Sequence, residues 1–296
     1  FAAGQNITTG TQNTAIGFET LSANTTTGES TAVGYRALKA MTSGSRNNAI
    51  GTYASSQLTT GQYNESMGYG ALYALTTGSN NVAIGYKSIH TATTASNNTG
   101  LGYYALNANT TGSENTAVGK EAMYANTTGV NNTSVGVTSL YATTTGGNNT
   151  AVGQSSLKAN TTGGNNTAVG RIALFACTTG GYNTAVGNDC LKTLTTNSYC
   201  TAVGDFALAV NTAQYMTAFG VQALGSNTSG ESNTGLGFRA LRLNTTGERN
   251  TAGGFDSLYT NTTGNYNTAY GNYSLRLNTT ANYNTAIGDY ALAQNT

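Results

Sequence analysis

The sequence predicts an all-β chain, a parallel β-solenoid (β-roll) of seventeen coils of 17 residues each. Three observations carry this. A glycine returns every 17 residues from one end to the other. There is no proline, which would delete a ladder hydrogen bond at the same place in a stack. The Asn-Gly and Asp-Gly signals of tight hairpins never occur, which argues against an antiparallel meander.

The anchoring glycines are Gly17, Gly34, Gly51, Gly68, Gly85, Gly102, Gly119, Gly136, Gly153, Gly170, Gly187 and Gly204, then Gly220, Gly237, Gly254, Gly271 and Gly288. A one-residue slip near Asn211 to Ala213 separates the two series. A fixed short period over a whole chain makes each repeat one turn stacked on the next. Residues 1–296 are therefore read as a single repeat array. Phe1 and Thr296 both fall in mid-repeat, so the expectation is a portion of a longer fibre protein.

The unit reads Asn-Thr-Ala-Val-Gly-Tyr-x-Ala-Leu-x-Ala-Asn-Thr-Thr-Gly-x-x, as in Asn115 to Asn131. Its first position is Asn in fourteen copies, among them Asn13, Asn98, Asn115, Asn149, Asn166, Asn183, Asn233, Asn250, Asn267 and Asn284. The third and eighth positions are small. The fourth is mostly aliphatic. The ninth is nearly always Leu: Leu21, Leu38, Leu72, Leu106, Leu140, Leu157, Leu174, Leu191, Leu208, Leu224, Leu241, Leu258, Leu275 and Leu292. A Thr-Thr pair such as Thr110-Thr111 precedes a second Gly such as Gly112.

This chemistry predicts two short strands per coil, Ala-Val and Thr-Thr, bounded by turns. Seventeen residues are too few for a helix-containing repeat. Each coil adds about 4.8 Å, so the array is expected to be a rod on the order of 80 Å long. Leu on Leu and Val on Val are expected to form two apolar ridges, with Asn amides laddered along the axis. The glycines mark φ > 0 or close backbone approach. Charges such as Arg36, Lys39, Glu121 and Lys158 fall at variable, outward positions. The core persists through the slip at Leu208, Phe219 and Leu224, and only the turn tightens. The small ranks would let another subunit approach closely, which predicts a homotrimer with Ala168 or Ala173 near its threefold interface.

The segments Asn81-Val82-Ala83-Ile84-Gly85, Asn115-Thr116-Ala117-Val118-Gly119 and Asn284-Thr285-Ala286-Ile287-Gly288 resemble the SVAIG repeat in the heads of trimeric autotransporter adhesins (YadA-like). Related arrays occur in phage tail-fibre and bacterial surface-fibre proteins. The resemblance covers the whole chain. It implies a left-handed β-roll, three chains side by side, and a structural or adhesive role in an extracellular, cell-surface or virion fibre. A host-surface glycan or receptor is the ligand it implies. Adhesin heads have a shorter repeat, and the extra residues here fall around Asn-Thr-Thr-Gly.

Only 8% of residues are charged and the net charge is +1. No basic stripe exists, so nucleic acid is not an expected partner. No apolar run reaches the roughly 18 residues of a membrane helix, so this segment is not expected to insert. His90 is the only histidine and has no recurring partner, which favours a surface side chain over catalysis. Cys177, Cys190 and Cys200 replace Asn, Ala and Asn in adjacent repeats. A Cys177–Cys200 disulfide is compatible with the spacing, but isolated substitutions are the plainer reading. Asn24, Asn109, Asn126, Asn160, Asn227, Asn244, Asn261 and Asn278 head Asn-x-Thr/Ser sequons, read as ladder residues rather than glycan acceptors. The many tyrosines suit either a sugar- or protein-binding surface or packing between coils. No catalytic group, metal site or cofactor is expected. The alternatives to an adhesive fibre are an ice-binding solenoid, against which adjacent Thr-Thr puts one hydroxyl on each face, and a self-assembling filament.

Overall fold

A computed structural model describes residues 3–295, in two compact units divided between Asn148 and Asn149. Each unit is a parallel β-solenoid, and no helix occurs among the described residues. Every coil contributes one strand of three residues. In the first unit these are β1 (Thr14–Ile16), β2 (Thr31–Val33), β3 (Asn48–Ile50), β4 (Glu65–Met67), β5 (Val82–Ile84), β6 (Thr99–Leu101), β7 (Thr116–Val118) and β8 (Thr133–Val135). In the second they are β9 (Thr150–Val152), β10 (Thr167–Val169), β11 (Thr184–Val186), β12 (Thr201–Val203), β13 (Thr217–Phe219), β14 (Thr234–Leu236), β15 (Thr251–Gly253), β16 (Thr268–Tyr270) and β17 (Thr285–Ile287).

Within each unit, equivalent positions pair. Ala168 lies on Ala151 and Ala185, and Val169 on Val152 and Val186. The short copy keeps this register, since β12 meets β13 as Thr201 on Thr217 and Ala202 on Ala218. The missing residue is taken up in the turn, where Thr212 N–H donates to Thr228 O at 2.8 Å. Ala213 stands there in the place of the second glycine and is 3% exposed.

The invariant glycine needs both of its special properties. Gly153 has φ +130°, and a Cβ on it would lie 2.5 Å from Gly170 O in the next coil. The second glycine answers only to crowding: a Cβ on Gly112 would lie 2.4 Å from Gly129 O. Positive φ is not confined to glycine. Three other positions per coil are left-handed, for example Glu121 (+54°), Met123 (+53°) and Asn131 (+57°). The Leu rank itself is left-handed, as at Leu106 (+51°) and Leu174 (+50°). Each such residue costs roughly 1–2 kcal/mol. Coil-to-coil hydrogen bonds hold it there, such as Leu106 N–H to Ala122 O at 3.0 Å.

Several expectations need correction. The Thr-Thr segment is a bend, not a second strand. Its backbone N–H groups converge instead of laddering: Thr110, Thr111 and Gly112 all donate to Thr127 O. The aliphatic fourth position faces outward, because a three-residue strand buries only its middle side chain. That middle residue is the small one, with Ala117, Ala151 and Ala168 at 0% exposure, while Ile50 and Leu101 stand 40% and 42% exposed. Phe219 belongs to the outward rank too, at 44%. The interior is already filled by the Leu rank and the Asn amides, so a branched side chain at the middle position would overpack it. Ala168 and Ala173 are both 0% exposed and have no surface to offer a second subunit. Leu292, alone among the leucines of its rank, is exposed, at 52%.

Candidate functional site

From Asn47 to Asn132 the Asn rank is an unbroken interior chain of amides. Asn98 N–H and Nδ2 both donate to Asn81 Oδ1, at 3.0 and 3.2 Å, while Nδ2 also donates to Gly112 O at 3.0 Å. A second buried amide rank occupies the twelfth position. Asn126 Nδ2 donates to Asn109 Oδ1 at 2.8 Å, and Asn244 Nδ2 to Asn227 Oδ1 at 2.7 Å. The sequon asparagines therefore point inward, with Asn24, Asn109, Asn126, Asn160, Asn227, Asn244, Asn261 and Asn278 all at 0% exposure.

The cysteines substitute into this interior. All three are free and buried. Cys177 Sγ donates to Gly180 O at 3.5 Å, the bond that Asn160 Nδ2 makes to Gly163 O at 3.0 Å. Cys200 Sγ donates to Ala213 O at 3.3 Å. Burial pushes the thiols of Cys177 and Cys200 up to about 11 and that of Cys190 up to about 12. Thiols held protonated in this way are poor nucleophiles.

Two surfaces remain. One is the outer face of the strands, which carries Thr at the second position and an aliphatic residue at the fourth. In the first unit, Ile50 (40%), Met67 (48%), Ile84 (36%) and Leu101 (42%) stand exposed in consecutive coils. In the second unit, Thr150, Thr167, Thr184 and Thr201 stack beside Val152, Val169, Val186 and Val203. The Thr hydroxyls at the thirteenth position are committed elsewhere, as Thr161 Oγ1 is to Thr178 O at 3.1 Å.

The other surface is aromatic. In the first unit the rings form an unbroken series of contacts. Tyr35 meets Tyr53 at 5.2 Å, Tyr53 meets Tyr69 at 6.1 Å, and Tyr69 stacks on Tyr86 at 5.4 Å. Tyr86 stacks on Tyr103 at 5.4 Å, and Tyr124 on Tyr141 at 5.3 Å. Stacking between coils and exposure to solvent are thus not alternatives, since Tyr69, Tyr86 and Tyr103 are 46%, 39% and 47% exposed.

Beside these rings, the seventh position lacks a side chain once, at Gly70. The seventh position carries a side chain in every other copy: Arg36 and Tyr53 before it, Lys87 and Tyr104 after. Gly70 keeps the backbone of its rank, with φ +62° against +60° at Tyr53 and +50° at Lys87. Only the side chain is missing, and the gap is a hollow of about 250 Å³ lined by Arg36, Tyr53, Tyr69, Tyr73, Lys87 and His90. A second hollow of about 510 Å³ shares Arg36, Tyr53 and Tyr73 and adds Glu19 and Lys39.

The lone histidine belongs to this place. His90 stacks on Tyr73 at 5.2 Å, and its Nδ1 lies 2.7 Å from Gly70 O. A carbonyl oxygen only accepts, so Nδ1 carries the proton. Arg36 Nε and Lys39 Nζ bind Glu19 at 2.8 and 2.7 Å. The Lys39 hydrogen bond, with Arg36 behind it, holds the Glu19 carboxyl below its usual value. Lys87 is held by rings: its Nζ lies 5.5 Å from the centroid of Tyr86 and 6.0 Å from that of Tyr104. The smaller hollow is therefore lined by cations and rings with no carboxylate. The repeat hides this site in sequence, because its signal is one absent side chain at a position that varies in every copy.

In the second unit, Arg239 grips the 1% exposed Asp256 through Nε (2.8 Å) and Nη2 (2.6 Å) and lies over Phe238 and Tyr259. No helix among the described residues is long and apolar enough to cross a membrane. No family model, curated protein or solved structure matches the chain.

Proposed function

We propose that this chain is a structural, non-catalytic segment of an extracellular or virion fibre. Its copies associate side by side in threes and present an adhesive surface to a glycan or receptor. One observation supports the association above the others: the exposed aliphatic rank of Ile50, Met67, Ile84 and Leu101 on a regular parallel sheet face. Contiguous exposed apolar surface marks interaction sites in soluble proteins. The threefold number and a left-handed winding rest on the resemblance to adhesin heads. Sedimentation of the intact chain tests this reading. A mass of three copies is expected, with Met67→Asp and Ile84→Asp dissociating it while the circular dichroism stays unchanged. A stable monomer at high concentration would overturn it.

A second reading rests on the second unit. Thr150, Thr167, Thr184 and Thr201, each two residues before a valine, make a Thr-x-Val array on one face. Such an array meets the need of an ice-binding face for regularly spaced hydroxyls and methyls. Phe219 and Tyr270 project from the same rank further along and limit the flat area. Thermal hysteresis separates the two readings.

A further inference from the structure

We propose that the hollow at Gly70 is a binding site for an acidic saccharide, a sugar carrying a carboxylate or sulfate. This deepens the adhesive reading and rests on it.

The argument starts from the missing side chain. Sixteen copies fill the seventh position and one does not, yet the backbone there is unchanged. The gap is therefore not a requirement of the coil. A Cβ at Gly70 would lie 3.1 Å from the His90 ring, so any side chain would push into the space in front of it.

What lines the space sets the chemistry. Arg36 and Lys87 supply donors and positive charge, the His90 ring supplies a further flat wall, and the lining of this hollow holds no carboxylate. Arg36 spends Nε on Glu19, but a guanidinium has five donors. Charge-assisted hydrogen bonds from such groups favour an anion. Tyr53 and Tyr73 supply ring surface, meeting each other edge-on at 87°. The negative ring faces attract the weakly positive C–H bonds of a sugar. A purely apolar ligand would leave the cations unanswered, and an inorganic anion would leave the rings unused. The volume of about 250 Å³, opening beside one of about 510 Å³, suits one or two sugar rings, given that small-molecule sites run from roughly 300 to 1,000 Å³.

The test is calorimetric titration of the intact chain with three probes on one scaffold: 3′-sialyllactose, sulfated lactose, and lactose. At least one acidic probe is expected to bind about tenfold or more tighter than lactose, a difference of about 1.4 kcal/mol. Its affinity should fall as salt is raised. Which acidic probe wins assigns the group as carboxylate or sulfate. Gly70→Gln restores a side chain that the rank already holds at Gln222, so the fold is expected to persist while binding falls about tenfold or more. Lys87→Gln should bring the acidic probe down toward lactose. The proposal is overturned if no probe saturates up to millimolar concentration, if lactose binds as well as the acidic probes, or if neither variant changes affinity. Loss of saccharide binding with the threefold mass intact would remove this ligand and leave the fibre reading standing.

Discussion

Asn64 approaches Asn47 twice: its backbone N–H and its side-chain Nδ2 both donate to Asn47 Oδ1, at 3.0 and 3.1 Å. One amide oxygen thus holds the backbone and the side chain of the next coil. The donor left on Asn64 goes to Gly78 O at 3.0 Å, so the side chain also ties the strand to the opposite turn. A polar interior of this kind is stable only when nearly every group is matched.

Breaking the chain of amides should be costly. Asn81 Nδ2 donates to Asn64 Oδ1 and Ala95 O, both at 3.0 Å, and its Oδ1 accepts from Asn98 N–H at 3.0 Å. Asn81→Ala leaves Ala95 O and Asn98 N–H unmatched. With each of the two unmatched buried groups costing roughly 1–3 kcal/mol, the expected loss is about 2–6 kcal/mol. Chemical denaturation reads it, and a loss under about 1 kcal/mol would mean that the coils relax around the gap.

The invariant glycine offers an internal comparison. Gly153 and Gly112 face similar crowding: a Cβ on Gly153 would meet Gly170 O at 2.5 Å, and one on Gly112 would meet Gly129 O at 2.4 Å. Only Gly153 adds a left-handed φ, +130°. Gly112→Ala should cost the crowding alone, and Gly153→Ala should cost about 1–3 kcal/mol more through backbone strain. Equal losses would show that crowding alone explains the rank.

Stabilisation is expected at Ile172. This β-branched residue sits at φ +61°, where such side chains are strained. Its N–H bond to Gln154 O, at 3.0 Å, survives substitution. Ile172→Asn should raise stability by about 1 kcal/mol, since Asn tolerates the left-handed region. A lower denaturation midpoint in the variant would show that the Ile side chain contributes more by packing than it loses in strain.

The thiols predict an alkaline limit. Their ordinary value is 9.0, and burial raises it to about 11 for Cys177 and Cys200 and about 12 for Cys190. The folded chain keeps these protons to higher pH than the unfolded chain does. Their contribution is therefore complete below about pH 9 and falls as pH rises from there through 11 to 12. Cys190→Ala, which installs the residue most copies carry, should lose less stability than the parent over that window. A thiol reagent near pH 8 should label none of the three until the chain is denatured. Labelling of the folded chain would contradict their burial.

What could be read from the sequence follows from how tightly chemistry restricts each position. Gly153 and Gly170 meet at a contact that admits no side chain, so the residue type cannot vary and the period is plain. Asn81, Asn98 and Asn115 repeat because the side chain there donates two hydrogen bonds and accepts two, which an amide can do and a hydroxyl, with its single O–H, cannot. The aliphatic rank misleads because hydrophobicity argues for the inside. Ala168 wins that place, since Leu174 and the amides leave no more room, and Val169 is turned out. Thr110-Thr111 misleads because β-propensity cannot distinguish a ladder from N–H groups gathered on one carbonyl. The left-handed seventh position is invisible because it holds Glu, Arg, Tyr, Lys and Ile alike. Gly70 was hidden for the same reason: in a rank with no consensus, an absence breaks no pattern.

The pairing of each residue with its equivalent one copy away bears on how such a gene can change. Thr201 sits on Thr217 even though the intervening copy is a residue short, because the loss falls in a turn and not in a rank. Any whole-repeat duplication or excision in the DNA, of the kind replication slippage produces over near-identical segments, would rejoin Leu to Leu, Asn to Asn and glycine to glycine. Length is then heritable in units that leave every interior contact as it was. Selection can lengthen or shorten the protein by copy number alone, while a unique feature such as the gap at Gly70 travels with the single copy that carries it.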